Sequence, residues 1–137
     1  MADLMSKTAL VTGGGTGIGF GIAAKLMEAN AQVTIAGRRE DVLNEAAERL
    51  DASVSSSGNI KVVCCDVTDA LAVRNAVEVA ANDKGVLDIA VANAGIGAGG
   101  PFLTMTDETL RSVLEVNVVG AFNTIQAAAE TMRSSGG

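Results

Sequence analysis

The stretch Thr12-Gly13-Gly14-Gly15-Thr16-Gly17-Ile18-Gly19 decides how this chain folds. A short apolar run, Thr8 to Val11, precedes it, and after it Ile18, Ile22 and Leu26 recur at i, i+4 and i+8 as one helical stripe. A strand that ends in a glycine cluster and opens a helix is a place for a pyrophosphate. Glycine lacks the Cβ that blocks close approach, and the helix N-terminus offers free N–H groups and the positive end of its dipole. A glycine string alone is weak evidence; its position in the first strand-turn-helix unit gives it weight.

Outward from this turn the unit repeats. Gln32 to Ala36 is a second apolar run, followed by Leu43, Ala46, Ala47 and Leu50 at helical spacing and by a Ser-rich loop over residues 53–59. Ile60 to Cys65 is a third run, after which Thr68 and Asp69 supply an N-cap and an acidic first turn to a helix carrying Val73, Val77 and Ala80. Gly85 punctuates its end. Leu87 to Ala92 is nearly all apolar, as expected of a strand buried on both faces.

The loop from Gly95 to Pro101 is glycine-rich, and Thr106, with Asp107 and Glu108, caps a long helical pattern through Leu110, Leu114, Val118, Ala121, Ile125, Ala128 and Met132. Val113, Val116, Gly120 and Ala127 form a second stripe on it, so one face covers the sheet and the other wants a partner. Four strand-helix units joined by right-handed crossovers predict a single α/β domain over residues 1–137. It is a doubly wound parallel sheet of Rossmann type, with strand order 3-2-1-4, ending before a fifth strand. The fourth strand is then an edge without a neighbour, which invites association.

Composition narrows the chemistry. Sixteen acidic against ten basic residues leave a formal charge of -6, which argues against a nucleic-acid binder. With no His and no Tyr there is no imidazole base, no His-bearing zinc site and no phenol acid, and no metal is expected. The uncharged stretches from Thr8 to Ala24 and from Ile89 to Thr106 are too glycine-rich to span a membrane, and the N-terminus lacks the apolar core of a signal peptide. A soluble cytoplasmic protein is the expectation. Cys64 and Cys65 are adjacent on a strand and point to opposite faces, which predicts two buried thiols in a reducing compartment.

The chain resembles the classical short-chain dehydrogenase/reductase family. Thr12–Gly19 fits its TGxxxGxG turn, and three landmarks follow in order: Cys65-Asp66-Val67 after the third strand, Ala92-Asn93-Ala94-Gly95 after the fourth, and Asn117-Val118 inside the long helix. The resemblance implies a nicotinamide cofactor held by Gly13, Gly15, Thr16, Gly17, Ile18 and Gly19, with the Ile18 N–H on the pyrophosphate. It implies that Asp66 and Val67 meet the adenine, and that Asn93, Ala94 and Gly95 lie near its ribose, Asn93 serving as much to tie strands together as to bind. Asn117 is the catalytic residue carried over, holding a water in the proton relay; a local backbone bond is the alternative.

Arg38 and Arg39 follow the second strand, where a carboxylate would accept a ribose 2′-hydroxyl and a guanidinium favours a 2′-phosphate. This predicts NADP(H) as preferred cofactor with NAD(H) possible, Arg38 carrying more than Arg39; a solvated pair with Glu40 or Asp41 is the other reading. The family's catalytic Ser, and its Tyr and Lys four residues apart, have no counterparts here, Ser134 and Ser135 lying too early. The expectation is therefore the front portion of an NAD(P)-dependent oxidoreductase acting on an alcohol or carbonyl substrate, homo-oligomeric when whole and inactive as 137 residues. A natural non-catalytic nucleotide-binding or interaction module is the alternative.

Overall fold

The computed structural model describes residues 3–54 and 60–135. Four strands, β1 (Thr8–Thr12), β2 (Gln32–Gly37), β3 (Ile60–Cys64) and β4 (Ile89–Val91), form one parallel sheet in the order β3-β2-β1-β4. Helices α1 (Gly17–Glu28), α2 (Glu40–Ser53) and α3 (Ala70–Ala80) make the crossovers, and α4 (Asp107–Leu114) leads through a π-helical turn (Glu115–Gly120) into α5 (Ala121–Ser134). This is the doubly wound arrangement expected. The Ser-rich loop lies, beyond Val54, outside the described residues, and α2 itself runs through Ser53.

Alternation along β1 divides the core. Ala9 and Val11 face α1 and α2 in a cluster with Val33, Ile35, Met27 and Leu43, while Leu10 faces α3 and α5 with Val63, Val73, Val77 and Ala127. All five residues of β1 are buried, and full burial of a side chain such as Leu10 contributes about 1.5–3 kcal/mol.

Several expectations need correction. The fully buried residues of α1 are Gly19, Ala23 and Met27; of the expected stripe, Ile22 and Leu26 pack half-buried against the same core, while Ile18 is 77% exposed. At its N-terminal end the helix sits too close to the end of β1 for a large side chain, so Gly19 faces inward there, while Met27 is buried at the other end. β4 is three half-buried residues rather than a strand from Leu87 to Ala92 buried on both faces, because only β1 flanks it. Asp69 alone caps α3, accepting from the Leu71 and Ala72 N–H groups, while the Thr68 hydroxyl donates to Asp66.

The thiols differ as well. Cys65 is buried but Cys64, on the edge strand β3, is exposed. Burial, reinforced by the neighbouring Asp66 carboxylate, pushes the Cys65 thiol up to about 11.

The final helix is not one continuous α-helix. The π turn takes an extra residue, so the outward stripe runs Leu110, Leu114, Val118, Phe122 and Ile125. Ala128, and in part Met132, turn into the core with Ala127. Among the described residues no helix is long and apolar enough to cross a membrane.

At the foot of the sheet the Asp88 carboxylate accepts from Lys7 Nζ (2.8 Å) and from the Thr8 N–H (2.9 Å), and the Thr8 hydroxyl donates to Val86 O (2.8 Å). These bonds clasp the start of β1 to the approach of β4. The Lys7 ammonium and the Thr8 N–H hold the Asp88 carboxyl below its ordinary 3.8. A lowered folded pKa means that the stabilisation is complete above the unfolded value and is lost as pH falls through the folded one. Urea unfolding at a series of pH values should therefore show stability falling below about pH 4, and a shallower fall in Asp88→Asn, which starts less stable at pH 7 by about 1–3 kcal/mol.

Candidate cofactor site

The glycine turn joins β1 to α1 across the end of β4. Gly13 (φ +67°) and Gly17 (φ +54°) adopt the left-handed conformation that favours glycine. A Cβ on Gly13 would stand 2.9 Å from Ala94 Cα, and one on Gly19 would run into the Gly13 carbonyl and the Asn93 amide. Gly14 rests against Ile35. The N-terminus of α1 is thus pressed onto the strand ends. Thr16, its N-cap, makes no side-chain bond to the helix, so the first-turn N–H groups stay free for an anion, and no atom lies within 4 Å of where a Gly17 side chain would project. This fits a bound pyrophosphate.

Asn93 and Thr12 hold the turn from behind. Asn93 Nδ2 donates to the carbonyls of Thr12 (3.0 Å) and Gly13 (3.3 Å), and Thr12 Oγ1 accepts from the Asn93 and Ala94 N–H groups, both at 3.1 Å. Asn93 therefore ties β1 to β4, the structural part of its expected role.

One cleft runs along the C-terminal strand ends. Gly13, Gly15 and Thr16 line it at the turn, Ala94 and Gly95 on one side, Arg38 and Arg39 after β2, and Asp66 and Val67 after β3. Gly17, Ile18 and Gly19 are outside the lining: Ile18 is exposed at the start of α1 and Gly19 is buried behind the turn. Sequence reasoning missed other walls, namely Gly37, Val42, Leu43, Cys65, Ile96 and Val116. The position of Gly37 between a strand and Arg38 was a usable signal; Leu43 read only as core.

Asp66 Oδ1 accepts from the Thr68 N–H (2.9 Å) and hydroxyl (2.8 Å), which, with the Arg38 charge, lowers its pKa. Asn117 lies in the π turn and pairs with one residue twice, accepting from the Ile96 N–H (2.8 Å) and donating to the Ile96 carbonyl (2.9 Å). These bonds reach a loop 21 residues earlier in the chain, so the exposed Asn117 is not making the local backbone bond named as the alternative.

The family described as short chain dehydrogenase matches residues 7–137. The chain belongs to this family. A 3alpha-hydroxysteroid dehydrogenase of Mediterraneibacter gnavus is 35% identical over 98% of the chain and 53% of its own length. The crystal structure of a short-chain type dehydrogenase/reductase from Mycobacterium marinum is 40% identical with a TM-score of 0.89, covering 98% of this chain and 53% of that one. The NADPH-bound structure of a short chain oxidoreductase with an atypical catalytic center, from Pseudomonas aeruginosa PAO1, is 31% identical with a TM-score of 0.88, covering 98% and 52%. This dehydrogenase-family chain spans about half the length of the relatives it matches.

The glycine contacts are tested by a pair of substitutions in α1. Gly19→Ala drives a Cβ into backbone and should destabilise the protein by about 1–3 kcal/mol. Gly21→Ala meets nothing within 4 Å and should stabilise it by about 0.5–1 kcal/mol through helix propensity. Thermal unfolding of both variants measures the contrast.

Proposed function

We propose that this chain is the cofactor-binding part of an oxidoreductase that transfers hydride between NADP(H) and an alcohol or carbonyl substrate. The observation that carries the reading is one cleft that runs from the glycine turn at the start of α1, past an arginine pair, to the Asp66–Val67 segment. These match a pyrophosphate, a ribose 2′-phosphate and an adenine. The NADPH in the Pseudomonas relative and the hydroxysteroid named for the Mediterraneibacter relative agree with it.

The bound cofactor supplies the hydride; this chain's residues bind and orient it. Gly13, Gly15 and Thr16 line the phosphate end beside the Ile18 N–H, Gly17 and Gly19 let the start of the helix come close, and Asn93 keeps the turn in place while Ala94 and Gly95 form the wall toward the ribose. Asn117, through Ile96, fixes the loop on that wall. The Tyr that would donate a proton to the substrate oxygen is absent from the 137 residues, so we assign the chain alone binding without turnover.

Arg38 is the residue on which cofactor choice turns. One charge-assisted hydrogen bond to a 2′-phosphate is worth about ten- to a hundredfold in affinity. Titration calorimetry with NADP⁺ and NAD⁺ should give that preference, and Arg38→Asp should reverse it; equal affinities before and after the change overturn the NADP assignment.

The outward stripe of Leu110, Leu114, Val118, Phe122 and Ile125 and the open edge of β4 support a homo-oligomer. Sedimentation should show association at micromolar concentration, reduced in Phe122→Glu, and a stable monomer overturns it.

A further inference from the structure

We infer that Asn123, on α5, is a positioning residue for adenine recognition, acting through the Val67–Thr68 peptide. The inference rests on the assignment of the Asp66–Val67 segment to the adenine.

Most bonds of this segment are local. Asp66 Oδ1 takes both Thr68 donors, the Asp66 carbonyl accepts the Asp69 N–H (3.1 Å), and Asp69 caps α3. The Val67 carbonyl is held from far away in sequence: Asn123 Nδ2 donates to it at 2.9 Å. The Val67 carbonyl and the Thr68 N–H belong to one planar peptide. That plane is therefore gripped at one end by Asn123 and at the other by Asp66, and its tilt sets where the Asp66 carboxylate points.

Two groups are left for a ligand on this wall of the cleft. Among the described residues, Asp66 Oδ2 has no donor and the Val67 N–H has no acceptor. An acceptor beside a donor is the complement of the adenine edge, whose exocyclic amine donates and whose N1 accepts. Hypoxanthine presents the opposite pattern, an oxygen and an N–H, and sets like against like on both groups.

The sequence of α5 is built around this contact. Gly120 precedes Asn123 by three positions and so shares its face. A Cβ on Gly120 would stand 3.0 Å from Val67 Cβ and closer still to its methyl, so glycine lets the helix approach far enough for Asn123 to reach the carbonyl. The π turn ends at Gly120, which sets the rotation of α5 that brings this face to Val67.

The test compares NADP⁺ with its hypoxanthine analogue, by calorimetry, on wild type, Asn123→Asp and Asn123→Ala. Asn123→Asp keeps the shape but presents a carboxylate where a donor is needed; Asn123→Ala removes the donor should the first variant fold poorly, and thermal unfolding reports on both. Wild type should prefer the adenine cofactor by about tenfold or more, the worth of one good hydrogen bond. Both variants should lose that preference by weakening adenine binding while leaving the analogue's affinity unchanged. If wild type prefers adenine and a folded variant keeps the preference, or if both ligands weaken equally, Asn123 does not position the segment. If wild type itself does not distinguish the bases, the adenine assignment falls first.

Discussion

The contact on which this structure depends is the seating of the α1 N-terminus against the ends of β1 and β4. There the Gly13 carbonyl and the Asn93 amide occupy the space that a side chain on Gly19 would need. Everything nearby follows from this close approach. It brings free N–H groups to the mouth of the cleft, turns Gly19, Ala23 and Met27 inward, and displaces Ile18 toward solvent. A dense interior does not absorb even one added methyl group here without moving backbone.

The order of elements was legible because hydrophobic period and turn chemistry agree at each step. Strand order followed from right-handed crossovers, and the glycine turn, Asp66–Val67, Ala94–Gly95 and the arginine pair meet in one cleft as read. What failed had a common cause: periodicity counts apolar residues but not the distance between elements. It ranked Ile18 with Ile22 and Leu26, although only the latter two pack against the core, and it buried Cys64, which the sheet edge exposes, and β4, which is half-buried. Thr12, which accepts from the Asn93 and Ala94 N–H groups at the end of β1, was legible as the first residue of the TGxxxGxG turn, but its bonds to residues 81 and 82 positions away were not. Asn123 gave none at all, since its partner is 56 residues away.

The π turn joins two functions in one irregularity. It lifts Asn117 out of the regular helical pattern to pair with Ile96, and it rotates α5 so that Gly120, Thr124, Ala127 and Ala128 face inward. A regular helix through residues 115–120 would keep neither geometry, which explains why an energetically inferior turn is tolerated at this place.

The clasp of Asp88 on Lys7 and Thr8 and the bonds from Asn93 to Thr12 and Gly13 each span about eighty residues. Closing a loop of that length costs conformational entropy that few local contacts offset beforehand, and parallel pairings of this kind form slowly. β1 meets β2 early, across a single helix, but its second partner exists only after β4 has left the ribosome. The glycine turn is therefore synthesised about eighty residues before the strand that gives it its shape, and it stays unformed until β4 has joined β1.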